Sequence, residues 1–350
     1  MPLDGSLQPE LVAVEAGLSY VHDTLDPGIT RKKTRSGFDY IAPGGGKITD
    51  PETLDRIRRL AIPPAYTEVW VCADPNGHIQ ATGRDARGRK QYRYHDRWRA
   101  TRDEGKFARM AAFGRALPKI RARVDADLAS RGLTHDKVTA LVVRLLELTL
   151  IRVGNDEYAR QNKHFGLTTL TARHARIEGA RVKFEFTGKS GVKHSTGLKD
   201  PRLARIMKQV HDLPGQRLFQ WIDAEGHRRA IGSSDVNAYL HQATGKHFTA
   251  KDFRTWAGTL AAAKALALQE KPTSEAEAKR AVNLCIKATA GLLGNTPAVC
   301  RKAYVHPEVL DAFARSELPA SFAKLDGEAL ERAALRFLDG LAKRAEAAAA

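Results

Sequence analysis

Cysteine is scarce in this sequence. Cys72, Cys285 and Cys300 are the whole complement, and no two stand in Cys-x-x-Cys spacing. An odd and scattered set builds neither a disulfide framework nor a thiolate metal site, and it fits a reducing compartment. The twelve histidines include no His-Glu-x-x-His pair and no His–Cys cluster, so no structural or catalytic metal is expected. Long hydrophobic runs are missing too. None approaches the roughly 18 apolar residues of a membrane span. The opening residues, MPLDGSLQPELVAVEAG, lack the basic-then-apolar order of a secretory leader, which predicts a cytosolic chain. Nucleotide motifs also fail. Gly188-Lys189-Ser190 resembles the end of a phosphate loop, but Lys183 stands where its first glycine is needed. Gly44-Gly45-Gly46-Lys47 is followed by Ile48, which has no hydroxyl for Mg²⁺. No ATP site and no cofactor are expected.

Acid is the other deficit. Forty acidic side chains face 57 basic ones, a net charge of +17. A surplus of this size points to a polyanion, because neutralising phosphates releases counterions and drives binding. Apolar residues make up 43% of the 350, enough for real cores, and the length suggests two domains.

Residues 31–97 read as a small α+β unit. Its expected strands are 38–41, 69–72 and 78–82, the last two joined by the turn Asp74-Pro75-Asn76-Gly77. A short helix starts at Asp50-Pro51 and carries Leu54, Ile57 and Leu60 on one face before Pro63-Pro64. From Arg84 to His95 cations interleave with aromatics, a composition suited to a phosphate backbone and equally to a solvated loop. Past Trp98 the pattern turns helical. The expected division is therefore 1–98, a β-rich domain, and 99–350, a mainly helical one. In the second, Thr139–Ile151 is apolar on nearly all sides, as in a buried central helix. One hairpin interrupts the helices: Val182, Phe184 and Phe186 alternate with polar residues, then Gly188–Gly191 turns the chain. The Ala-rich end, Leu341–Ala350, reads as a frayed helix terminus.

Five positions carry chemistry. Arg152 emerges from the apolar helix and needs an anionic partner, either an internal one such as Glu147 or Asp156, or a phosphate. Lys189 sits at the tip of the Gly-flanked hairpin, as a solubilising residue or a mobile proton donor. Thr249 caps a helix with Asp252 three residues on, which sets Lys251 and Arg254 at i, i+3 on one face. Two like charges there are reconciled by an anion between them. Gly294-Asn295-Thr296-Pro297 starts a further short helix that ends near Tyr304. Alone, that tyrosine reads as a packing residue.

Taken together, the ordered Arg, hairpin Lys, Lys-x-x-Arg and Gly-Asn-Thr-Pro with Tyr304 nine residues after Asn295 resemble the type IB DNA topoisomerases, in their poxvirus-like and bacterial branch. The resemblance spans most of the chain, including Gln91-Tyr92-Arg93-Tyr94. It implies a small N-terminal β-sheet domain and a larger mainly α-helical catalytic domain of the tyrosine recombinase/topoisomerase IB type. It implies that Arg152, Lys189, Arg254 and Asn295 surround a scissile phosphate and that Tyr304 attacks it. Gln91, Tyr92, Tyr94, Tyr158 and Lys251 match family positions that touch DNA. One strand of duplex DNA would be cut through a 3′-phosphotyrosine and resealed, relaxing supercoils without metal or ATP, by a monomer closing around the duplex as a clamp. Arg31-Lys32-Lys33-Thr34-Arg35 would add phosphate contacts. Where the poxvirus pattern has His, this chain has Asn295, a donor without charge, which implies somewhat weaker transition-state stabilisation. Two rivals remain: a tyrosine recombinase or integrase, disfavoured by Lys251 where His is typical and by the β-rich N-terminal region, and a non-catalytic basic DNA-binding protein, which leaves the spaced residues to coincidence.

Overall fold

The computed structural model describes residues 9–156, 159–160 and 163–349. The chain divides into two units, Met1–Ala108 and Arg109–Ala350. Among the described residues no helix is long and apolar enough to cross a membrane.

The first unit opens with a short helix, α1 (Pro9–Glu15), and then folds into an antiparallel sheet. Its strands are β1 (Gly28–Lys33), β2 (Phe38–Ile41), β3 (Thr67–Cys72), β4 (Ile79–Arg84) and β5 (Lys90–Tyr94), in the spatial order β2-β1-β3-β4-β5. Helix α2 (Pro51–Arg59) lies between β2 and β3 in the chain. Its start is set locally: Pro51 occupies the first position, and the Asp50 carboxylate accepts the Thr53 N–H at 2.8 Å. Ile57 is 2% exposed and packs with Ile29, Val69, Val71 and Ala81 of the sheet. Burying such side chains contributes about 1.5–3 kcal/mol each. The expected turn also forms, with Asp74 accepting from the N–H groups of Asn76 and Gly77.

Strand β1 does not stand out in the sequence, because Gly-Ile-Thr-Arg-Lys-Lys has one apolar residue and no alternation. Its Arg31 bonds within the unit. The guanidinium donates to the carbonyls of Pro63 at 3.1 Å and Tyr66 at 2.5 Å, and its carbon lies 4.2 Å from the Phe38 ring centroid. A cation used this way tethers the 62–66 loop to the sheet.

Helix α3 (Asp96–Ala129) crosses from the first unit's residues into the second's, so the boundary suggested at residue 98 falls in its first turn. The second unit continues with α4 (His135–Thr149), whose residues 137–143, 145 and 146 are all buried, as its apolar composition requires. Arg121 of α3 bonds Glu147 of α4 at 2.7 Å and Glu331 near the C-terminus at 2.7 Å. Hydrogen bonding to Glu331 leads the causes that raise its pKa above the ordinary guanidinium value.

A three-stranded sheet follows, β6 (Ala175–Glu178), β7 (Arg181–Thr187) and β8 (Lys193–Lys199), with β7 in the middle. Val182, Phe184 and Phe186 are buried in alternation, as the sequence pattern demands. Helix α5 (Pro201–His211) leads into a second hairpin, β9 (Gln220–Ile222) with β10 (Arg228–Ala230). Sequence reading misses this hairpin because the strands are three residues long and β10 is fully exposed. The remaining helices are α6 (Ser233–Thr244), α7 (Ala250–Ala267), α8 (Glu275–Leu293), α9 (Pro297–Tyr304), α10 (Pro307–Ala314) and α11 (Gly327–Ala349). Leu266, Ile286, Leu293, Cys300, Val305 and Phe313 form the centre of the core that binds α7 to α10 together. The Ala-rich end is helical through Ala349.

Candidate active site

Four chain segments bring their ends together in the second unit. Leu150 caps the end of helix α4 with a left-handed φ of 55°, an unusual conformation for a residue with a side chain, costing about 1–2 kcal/mol. The turn buries Ile151 and leads into Arg152. The backbone beyond it is held by two bonds, from the N–H of Leu167 to the Arg152 carbonyl at 2.8 Å and from that of Thr168 to the Val153 carbonyl at 2.7 Å.

Arg152 meets neither carboxylate its position suggested. Glu147 is taken by Arg121 and Asp156 by Arg217 at 2.8 Å. Instead, Arg152 Nη2 donates to the Gly294 carbonyl at 2.9 Å and to Asn295 Oδ1. Arg254 lies one turn into α7 and is 4% exposed. Its Nη1 donates to the Leu150 carbonyl, and its Nη2 to the Leu293 carbonyl at 2.6 Å. Carbonyls orient a guanidinium but do not neutralise it. Two cations are thus held close by neutral acceptors, and burial, joined for Arg254 by the charge of Arg152, presses both pKa values below the ordinary guanidinium value. Such an arrangement is costly unless an anion comes between them. Two more donors, Arg254 Nε and Asn295 Nδ2, are buried without an acceptor among the described residues. The Asn295 amide spends its oxygen on Arg152 and keeps its N–H₂ free.

Tyr304 completes the cluster. Thr296 caps α9 by accepting from the Val299 N–H at 3.4 Å, and Pro297 takes the first position, as the sequence indicates. The helix ends on Tyr304, half-buried, with the Arg254 guanidinium carbon 5.2 Å from its ring centroid. Burial alone would raise the phenol's pKa. The charge and hydrogen bonding of Arg254, with Lys251 and Arg152 behind it, reverse that and bring it below the ordinary phenol value. A reaction that needs the phenolate should therefore speed up as pH rises and level off before pH ~10, the unperturbed phenol value. Arg254→Ala should move that inflection upward. Single-turnover cleavage rates measured against pH check this.

The backbone at Tyr304 is held from α7. The Thr259 hydroxyl donates to the Tyr304 carbonyl at 3.4 Å and accepts the His306 N–H at 3.0 Å. Gly258 makes this approach possible, since a Cβ there would stand 2.6 Å from the Tyr304 carbonyl oxygen. Gly258→Ala should force α7 and α9 apart and destabilise the second unit by about 1–3 kcal/mol, read as a lower melting temperature with a matching loss of activity. Neither residue is signalled by the sequence, because both matter only through a contact across the fold.

Lys189 stands in the turn Lys189–Gly191 between β7 and β8, exposed, and its ammonium pairs with no group among the described residues. Lys251 is exposed at the start of α7, while Arg254, three residues on, is buried. In the first unit, Gln91 donates to Asp85 Oδ2 at 3.0 Å. Tyr92 is 41% exposed and stacks on Tyr94 with centroids 5.9 Å apart. Tyr94 also packs against the Trp98 cluster. Tyr158 lies outside the described residues.

The family described as "Eukaryotic DNA topoisomerase I, catalytic core" matches residues 95–321, and "Bacterial DNA topoisomerase IB, N-terminal domain" matches residues 37–85. The chain is 33% identical over 303 residues to the DNA topoisomerase 1B of Acanthamoeba polyphaga mimivirus, covering 85% of this chain and 90% of that one. It is 23% identical over 272 residues to the DNA topoisomerase 1B of vaccinia virus (strain Copenhagen), covering 75% and 82%. The guanidinium, amide and phenol groups gathered around Arg254 thus belong to a chain that is a member of the type IB DNA topoisomerase family.

Proposed function

We propose that this chain relaxes supercoiled duplex DNA by cutting and resealing one strand through Tyr304, with neither metal nor ATP. The observation that carries the reading is the pair of guanidinium groups, Arg152 and Arg254, held by carbonyls and an amide rather than by carboxylates beside the Tyr304 ring.

Tyr304 Oη attacks the phosphorus, its proton leaving to solvent. The bond from phosphorus to the 5′ oxygen breaks, and a 3′-phosphotyrosine forms. Negative charge grows on the non-bridging oxygens, where Arg152 and Arg254 offer forked donors and Asn295 Nδ2 a neutral one. Lys189 protonates the departing 5′ oxygen and takes the proton back on resealing. The bond energy is retained in the phosphotyrosine, so no ATP is consumed. The guanidinium groups supply the positive charge that a metal would otherwise bring.

Gln91, Tyr92, Tyr94, Tyr158 and Lys251 are proposed DNA contacts, the exposed Tyr92 and Lys251 most directly. Residues 1–98 would serve as the DNA-gripping part and 99–350 as the catalytic part of a monomer that clamps the duplex in the cytoplasm, on the nucleoid. Relaxation of negatively and positively supercoiled plasmid in EDTA without nucleotide tests the reading. Plasmid left supercoiled under those conditions, or recombination between defined sites, would count against it.

A further inference from the structure

Next to the cluster lies a side chain with no role so far. His194 is the second residue of β8, opposite Phe186 of β7 in the sheet register, and stacks on it with centroids 5.1 Å apart and planes 12° apart. Two glycines flank the ring. A Cβ on Gly188 would stand 2.6 Å from His194 Cδ2, and one on Gly294 would stand 2.7 Å from Cε1. Gly188 immediately precedes Lys189, and Gly294 immediately precedes Asn295 and accepts from Arg152. The imidazole is therefore wedged between the turn that carries the lysine and the segment that carries the amide. The turn itself is closed by backbone bonds from the Gly188 N–H to the Val192 carbonyl at 2.7 Å and from the Gly191 N–H to the Gly188 carbonyl at 3.1 Å, so the ring contact is what ties it to the Gly294–Asn295 segment.

We propose that His194 is a positioning residue whose ring seats the Lys189 turn against the Gly294–Asn295 segment, fixing where the proton donor stands relative to the scissile phosphate. The inference rests on the reading of Lys189 as the acid for the leaving 5′ oxygen. Burial, followed by the charges of Arg152 and Arg254, depresses the His194 pKa, which favours the neutral ring and suits a role by shape.

The role makes a selective demand. A misplaced lysine slows departure of an alkoxide, which needs a proton, but not of a thiolate, which is stable near neutral pH. Single-turnover cleavage would be compared on DNA with an ordinary 5′ oxygen and with a bridging 5′ sulfur at the cut site. His194→Ala should be slowed roughly 10- to 100-fold on the oxygen substrate, the scale of a small misplacement, and run close to wild type on the sulfur one.

Gly188→Ala gives a second approach that leaves the histidine in place. Gly188 has φ −96°, which an alanine tolerates, so its added methyl acts only by pushing the ring. It should show the same oxygen-selective defect, and Gly188→Ala with His194→Ala should be no slower than His194→Ala alone. Equal slowing on both substrates, wild-type rates on oxygen, or additive losses in the double variant would each overturn the inference. A Tyr304→Phe control separates the two levels. If that control still cleaves, the functional reading itself has failed; if it is inert while His194→Ala is unaffected, only the positioning role has.

Discussion

Tyr304→Phe is expected to bind plasmid DNA as tightly as the unaltered chain and to relax none of it. The substitution removes one oxygen from a half-buried ring at the end of α9 and leaves the aromatic surface beside Arg254 in place, so the fold should hold. The loss in cleavage should be on the order of 10⁴-fold or more, the scale seen when a covalent nucleophile is deleted from a working site. Affinity measured by gel shift beside a relaxation time course distinguishes this from general damage. Retained relaxation would mean that the tyrosine is a packing residue, as its local sequence alone would suggest.

The second large effect concerns the guanidinium pair. Arg152→Ala and Arg254→Ala should each slow single-turnover cleavage by roughly 10²- to 10³-fold, the loss associated with removing one donor from a preorganised anion hole. The two should differ in stability. Arg254 is almost fully buried and satisfies the carbonyls of Leu150 and Leu293, which hold the ends of α4 and α8. Its removal leaves buried acceptors unmet, at about 1–3 kcal/mol each, so Arg254→Ala should also lower the melting temperature. Arg152 is more exposed and its acceptors, the Gly294 carbonyl and Asn295 Oδ1, lie in the short link between α8 and α9, so its removal should leave melting nearly unchanged. Arg254→Lys keeps the charge but cannot fork between two carbonyls, and it should recover little of the rate. Thermal melts and cleavage rates on the same three proteins separate the structural from the chemical contribution.

Much of this site is legible in the sequence where local rules decide. Thr296-Pro297 announces the start of the helix that ends on Tyr304. Asp252 three residues after Thr249 announces the start of α7, and its carboxylate does accept the Thr249 N–H at 2.7 Å. The alternation of Val182, Phe184 and Phe186 locates the hairpin that presents Lys189. Each signal is carried by residues within a few positions of one another, where backbone geometry dictates the side chain.

Where partners come from far along the chain, the sequence stays silent. It offers Glu147 and Asp156 to Arg152 with equal force, and only the fold shows that Arg121 and Arg217 have claimed them. Arg31 looks like any cation in a basic run, yet it ties down a loop 31 to 35 residues away. Gly258 and His194 look ordinary because their significance is a contact made by other elements: a carbonyl on α9 for one, two glycines on separate segments for the other. Lys251 and Arg254 share a helix face by spacing, but core packing buries one and leaves the other in solvent.

The most direct test is to stop the enzyme on its substrate with detergent, digest the trapped adduct with protease and nuclease, and weigh what is left. A nucleotide joined through its 3′ phosphate to the peptide that contains Tyr304 is the expected product. No adduct at all, attachment through a 5′ phosphate, or a nucleotide on a different residue would contradict the account.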